Sequence, residues 1–165
     1  MPASSRQSAV RLTMVSPEFV VPDVTAAAEY YRDVFGFRIL GYFLGPPVFA
    51  MVGRDAVVIH FGKADNGARP SPNVVRRRGL GLDAYIWVND LDALHAEFEG
   101  RGAKIIEAPA MRVYKCYEMV VEDNFGFRLC FSMDSSPAPE TTGGCPARRC
   151  AKITVPATRQ GAAAA

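Results

Sequence analysis

Apolar and polar positions alternate with a period of two through "LDAYIWV" (82–88), then switch to helical spacing in "DLDALHAEF" (90–98). Ala84, Ile86 and Val88 give the strand one apolar face, and Leu91, Leu94 and Phe98 give the helix its stripe. The strand's other face carries Asp83, Tyr85 and Trp87, the last being the single tryptophan of the chain. An acid and two large aromatics opposite a core face predict a sheet whose second face holds something.

The same pattern occurs earlier. "FVVPDVTAAAEYYRDVFGFRIL" (19–40) sets against "YIWVNDLDALHAEFEGRGAKII" (85–106), with Asp23 matching Asp90. Each copy reads strand, Asp, amphipathic helix, Gly, then a β-rich stretch. Asp23 and Asp90 suit helix N-termini, where a carboxylate accepts the orphan N–H groups of the first turn. Gly36 and Gly102 suit helix exits, where φ is often positive. Tyr30, Tyr31 and Val34 stripe the first helix, and Phe35 and Phe37 continue the core.

Both copies also close alike. "FAMVGRDAVVIHFG" (49–62) predicts two strands about Gly53-Arg54-Asp55, and "CYEMVVEDNFGFRLCFS" (116–132) two strands about 122–126. The fold class is therefore α+β: two βαβββ modules, about 14–62 and 82–132, in a pseudo-two-fold arrangement forming an open cup. Strand parity puts Val57, Ile59 and Phe61, with Phe127, Leu129 and Phe131, on the helix-facing side. The opposite side receives Ser16, Glu18, Val20, Val58 and His60 in one copy. In the other it receives Asp83, Tyr85, Trp87, Tyr114, Cys116, Glu118, Arg128 and Cys130.

Composition narrows the function classes. At 165 residues, 49% apolar and 22% charged, the chain suits one folded domain with its own core. We read 1–13 as a flexible N-terminus, 14–133 as the domain, and the Ser-, Pro- and Ala-rich 134–165 as a disordered tail. Four of the 19 basic and two of the 17 acidic residues fall in that tail, so residues 1–133 are charge-balanced. A balanced domain has no electrostatic footprint for nucleic acid, and Arg76-Arg77-Arg78 reads as a solvated connection. No apolar run approaches a membrane span, and the start lacks a signal-like core, so a cytoplasmic location is expected. Cys116, Cys130, Cys145 and Cys150 form no Cys-x-x-Cys pair and are expected as free thiols, although Cys116 and Cys130 could approach across their hairpin.

"FVVPDVTAAAEYYRDVFGF", "GRDAVVIHFG", "YIWVNDLDALHAEFEGRGAKI" and "EMVVEDNFGFRLCF" together resemble the vicinal-oxygen-chelate superfamily of glyoxalases, bleomycin-resistance proteins and extradiol dioxygenases. That resemblance covers about 14–132 and implies the cup already read from the repeat. Metal-dependent members take one ligand from each opening and each closing strand. Carried over, those places hold Ser16, Asp83, Cys130, and His60 or Val58. Ser16 is a poor ligand and Val58 none, against the imidazoles and carboxylates that zinc or iron prefer. If a metal binds, His60, Asp83 and Cys130 are the candidates, with Glu18 nearby.

This departure resembles the metal-free bleomycin-resistance branch. It implies a cytoplasmic homodimer with no cofactor, no catalysis, and no nucleic-acid or membrane partner, sequestering a drug-like molecule in a cleft at the subunit interface. Trp87, Tyr85 and Tyr114 would offer flat apolar area, and Glu118, Asp83 and Glu18 acceptors for a cation. His60, Arg128 and Cys116 complete the expected lining. A metal-dependent lyase, isomerase or dioxygenase is the alternative. Plainer readings stand beside these. His60 could be a core histidine bonded to a carbonyl, Trp87 a packing residue, and the two strand thiols inert. A buried Glu118 demands a partner, either Arg112, Arg128 or a ligand.

Overall fold

The computed structural model describes residues 12–77, 79 and 81–134. Most of the flexible start expected at 1–13 and of the tail expected at 134–165, with Cys145 and Cys150, lies outside the described residues.

Among the described residues, eight strands and the two longer helices follow the order the repeat predicts. The first module comprises β1 (Glu18–Val21), α1 (Val24–Asp33), β2 (Arg38–Phe43), β3 (Phe49–Arg54) and β4 (Val57–Lys63). The second comprises β5 (Ala84–Trp87), α3 (Leu91–Gly100), β6 (Lys104–Met111), β7 (Cys116–Glu122) and β8 (Arg128–Asp134). Between them, the connection expected as plain loop contains a helical turn at Asp65–Gly67 and a short α2 (Asn73–Arg76). Each module forms a four-stranded mixed sheet, ordered β1-β4-β3-β2 and β5-β8-β7-β6, and neither closes into a barrel. The opening strand runs parallel to the last in both (Phe19 opposite Phe61, Ile86 opposite Phe131).

Local chemistry sets the helix limits as expected. Asp23 Oδ1 accepts from the N–H groups of Thr25 and Ala26, and Asp90 Oδ1 from that of Ala93. Gly36 turns the chain out of α1 at φ +69° and Gly102 out of α3 at φ +73°.

The helix-facing sides of the two sheets share one core. Phe19 of β1 stacks on Phe127 beside β8 at 4.6 Å, and Phe35 after α1 meets Phe98 of α3 at 5.2 Å. Each β-hairpin turn also grips the helix of the other module. Arg54 binds Glu97 of α3 through two N–O contacts (3.1 and 2.7 Å) and the Phe35 carbonyl at 2.7 Å. Correspondingly, Asp123 accepts from the Tyr31 hydroxyl of α1, while Asn124 donates to the Ala26 carbonyl. With the inner faces spent on one another, the outer faces of both sheets stay open. They carry half-exposed Val20, Leu40, Tyr85 and Trp87.

Two local expectations are corrected. Tyr114 is not a strand residue, because β7 begins at Cys116 and Lys115 before it takes φ +65°, breaking the alternation. Nor does the hairpin bring Cys116 and Cys130 opposite each other. Its register sets Cys116 against Asp134 and Cys130 against Val120, so both are buried and no disulfide joins them.

Candidate functional site

The outer face of the second sheet is organised around one carboxylate. Glu118 of β7 is only 3% exposed, although it faces the open side. Burying a carboxylate unpaired would cost several kcal/mol, so its surroundings must supply donors. They supply three. Arg112 Nε reaches Oε2 at 3.1 Å, the Tyr114 hydroxyl donates to Oε2 at 2.7 Å, and the Tyr85 hydroxyl donates to Oε1. Arg112 is shared with Glu107 of β6, so the cluster holds two carboxylates and one guanidinium. Of the two arginines that could neutralise Glu118, Arg112 does so, whereas Arg128 pairs with Glu122 at 3.0 Å.

The tyrosines are held as a consequence. Burial, then the hydrogen bond to Glu118, raises the phenol pKa of both Tyr85 and Tyr114 above the ordinary value. They therefore remain protonated donors at neutral pH, each with its ring about half exposed. Trp87 extends the wall, its indole edge-on to Tyr85 at 5.3 Å. Behind the rings lie Cys130 and Ser132, both fully buried. Burial pushes the Cys130 thiol up to about 12, so it is neither a ready nucleophile nor a ready thiolate ligand. Ser132 Oγ has no hydrogen-bond partner of sound geometry, although the Tyr85 hydroxyl lies close enough to feel it.

The other expected residues are placed differently. Asp83 precedes β5, and both its oxygens are used by backbone, from the N–H groups of Asn73 and Arg128. That role is structural: it ties the inter-module connection to β8. Cys116 is buried at the start of β7. Glu18 and His60 lie on the outer face of the first sheet, side by side in the β1–β4 register. Gly62 makes room for Glu18, whose Oε1 lies 2.7 Å from where a Cβ would stand. The His60 imidazole rests against the Phe49 ring at 5.3 Å. Among the described residues no three His, Cys, Asp or Glu side chains are grouped to hold a metal, so His60, Asp83 and Cys130 are not assembled within one chain.

Glu107 and Ser132 were not singled out by the sequence. Glu107 follows a register shift in β6, which hides its face from simple alternation. Ser132 was within reach of parity, two positions beyond Cys130, but a lone serine on a strand carries no signal of its own.

Comparisons with known proteins agree with this architecture. The family model described as the Glyoxalase/Bleomycin resistance protein/Dioxygenase superfamily matches residues 12–131. No curated relative matches the chain in sequence. Among solved structures, TioX from Micromonospora sp. ML1 is similar at 19% identity and TM-score 0.58, over 74% of this chain and 98% of that one. A glyoxalase-related enzyme from Clostridium phytofermentans shares 12% identity at TM-score 0.61, over 78% and 99%. Lactoylglutathione lyase from Agrobacterium tumefaciens shares 16% at TM-score 0.53, over 73% and 92%. At these identities the likeness is one of fold. With paired βαβββ modules and a family match over residues 12–131, the chain belongs to the glyoxalase/bleomycin resistance protein/dioxygenase superfamily.

Proposed function

We propose that the protein binds and sequesters a planar, cationic small molecule without transforming it, in the manner of bleomycin-resistance proteins. The observation that carries this reading is the clamped aromatic wall. Glu118 spends both oxygens on holding Tyr85, Tyr114 and Arg112, which leaves the rings of Tyr85 and Tyr114 fixed with open faces. Two carboxylates against one guanidinium leave a surplus negative charge behind those rings, which favours a cation over them. Asp83 contributes nothing to ligand here, since its oxygens are engaged, and Glu18 belongs to the other sheet.

One wall is half a cup. We infer that a second copy supplies the opposing wall, so that the Glu18–His60 face of one chain meets the Tyr85–Tyr114 face of its partner. Exposed apolar side chains on both outer faces, among them Val20, Leu40, Tyr85 and Trp87, support a homodimer. Among the described residues no helix is long and apolar enough to cross a membrane. A cytoplasmic setting accords with Cys116 and Cys130 standing outside any disulfide.

Titration with a bleomycin-type drug, followed by calorimetry and by recovery of the drug, tests the reading. Saturable binding, chemically unchanged drug, and at least fivefold weaker binding by Tyr114→Ala are expected. Conversion of the drug, or affinity unchanged in that variant, would overturn it.

The neighbouring Glu18 and His60 favour a second reading, a metal-dependent lyase, isomerase or dioxygenase. Both are good ligand types, and a partner chain would have to complete the set. Elemental analysis for zinc, iron, manganese, nickel and cobalt decides between the two: about one metal per chain that disappears in His60→Ala would establish the second.

A further inference from the structure

The two modules do not pack alike, and the difference leaves a cleft. A cavity of about 600 Å³ opens between the β3–β4 turn and the corner where β5 meets α3. Its floor is formed by Ile86, Leu94, Phe98 and Phe131, with Phe37 and Val57 along one side. None of Arg112, Tyr114 or Glu118 lines it, and Trp87 alone is shared with the aromatic wall.

The repeat explains why space exists here. The offset that matches Asp23 to Asp90 matches Phe19 to Ile86, and the closing strands match Phe127 to Val57. Where Phe19 stacks on Phe127, the other half therefore sets Ile86 near Val57. The turn 123–127 also carries an additional half-buried Phe125 packed on the core, whereas the turn Arg54–Val57 carries Asp55 and Ala56. Two rings and a longer turn fill one side of the pseudo-symmetric core. Smaller side chains leave the other side open.

The rim has a definite charge. Arg54, the one cation lining the cleft among the described residues, is bound to Glu97, which Arg101 also reaches from the end of α3 at 3.1 Å. Asp55, exposed at the tip of its turn, has no partner among the described residues, and Asp90 uses only Oδ1 to cap α3. Two carboxylates, Asp55 without a partner and Asp90 with one oxygen uncommitted, thus border an apolar floor that includes the rings of Phe98 and Phe131. An anion would be repelled by this rim. A cation with an apolar aromatic body finds both carboxylates at the rim and the phenyl rings of the floor.

We propose that this inter-module cleft is a second binding site, separate from the Glu118 wall, for a small organic cation with an apolar aromatic body. The site follows from broken pseudo-symmetry, not from the sequestering function, and stands or falls independently of it.

Calorimetric titration of the full chain with 2-naphthylmethylammonium, and with the neutral 2-naphthalenemethanol, tests this. In a Tyr114→Ala/Glu118→Gln background, which disables the aromatic wall, the ammonium probe is expected to bind at one site per chain, at least tenfold more tightly than the alcohol. Val57→Phe, which rebuilds the ring found at Phe127, should abolish binding of both probes. Asp55→Asn combined with Asp90→Asn, which adds no volume and retains a capping side chain, should lower the ammonium to the level of the alcohol. The proposal is overturned by an absence of saturable binding in the background that lacks the wall, or by undiminished discrimination in the double Asp variant.

Discussion

Tyr31 of α1 donates its hydroxyl to Asp123 in the β7–β8 turn at 3.2 Å, and both side chains are buried. Asp123 also accepts from the N–H groups of Phe125 and Phe127, yet burial outweighs these bonds and raises its pKa to about 6. An unfolded Asp titrates near about 3.9. The folded state therefore holds the proton more tightly, and this stabilisation is complete below about pH 4 and lost as pH rises through about 6. Relative to Asp123→Asn, the parent should lose on the order of 2–3 kcal/mol between pH 4 and 7.5. Urea denaturation at a series of pH values measures the difference. Parallel curves for parent and variant would contradict the protonation assigned to Asp123.

Gly36 and Gly102 hold equivalent places with opposite tolerance. Both have positive φ, but a Cβ at Gly36 would lie 2.8 Å from Glu97 Oε1 and 2.9 Å from Arg54 Nη1, whereas none at Gly102 meets an atom within 4 Å. Gly102→Ala should cost about 1 kcal/mol for the left-handed backbone alone. Gly36→Ala should cost about 2–4 kcal/mol, because it also pushes apart the Arg54–Glu97 pair. Equal losses by chemical denaturation would show that the ion pair yields freely.

Replacing Glu118 by Gln removes the charge that Tyr85, Tyr114 and Arg112 address. Stability should fall by about 1–3 kcal/mol. The Tyr85 and Tyr114 phenols should titrate lower than in the parent, though still above a free tyrosine because burial persists. Ring-carbon NMR of labelled tyrosine resolves the two. Unshifted titrations would mean that burial alone holds these phenols up.

Trp87→Ala should weaken a bleomycin-type drug by about 1–3 kcal/mol while leaving the midpoint of unfolding nearly unchanged, since the indole is 43% exposed. A large drop in stability with no loss of affinity would make Trp87 a packing residue, and calorimetry of the variant separates the cases.

Fold and face were largely legible because periodicity reports them directly. The 67-residue offset between Asp23 and Asp90, the switch from strand to helical spacing at 88–91, and the parity of Tyr85 and Trp87 all reappear in the structure. Reading failed where the chain departs from regular repeat. Asp83 shares the parity of Tyr85 but precedes the strand, where two backbone N–H groups claim its oxygens. A register shift hid Glu107, and a left-handed Lys115 moved Tyr114 off the strand without taking its hydroxyl from Glu118. The inter-module cleft was illegible for another reason. It depends on what Val57 and Ile86 fail to fill, and absence of volume has no period.

The crossed grips of Arg54 on α3 and Asp123 on α1 bear on how the molecule comes apart. Although the chain reads as a duplication, Phe19 needs Phe127 and Phe35 needs Phe98, so each half keeps part of the other's interior. A fragment ending near Lys63 would expose its aromatic core to water, as would one beginning near Leu82. Denaturation should accordingly show one transition instead of two. Severing the connection between β4 and β5 should yield pieces that fold only when mixed.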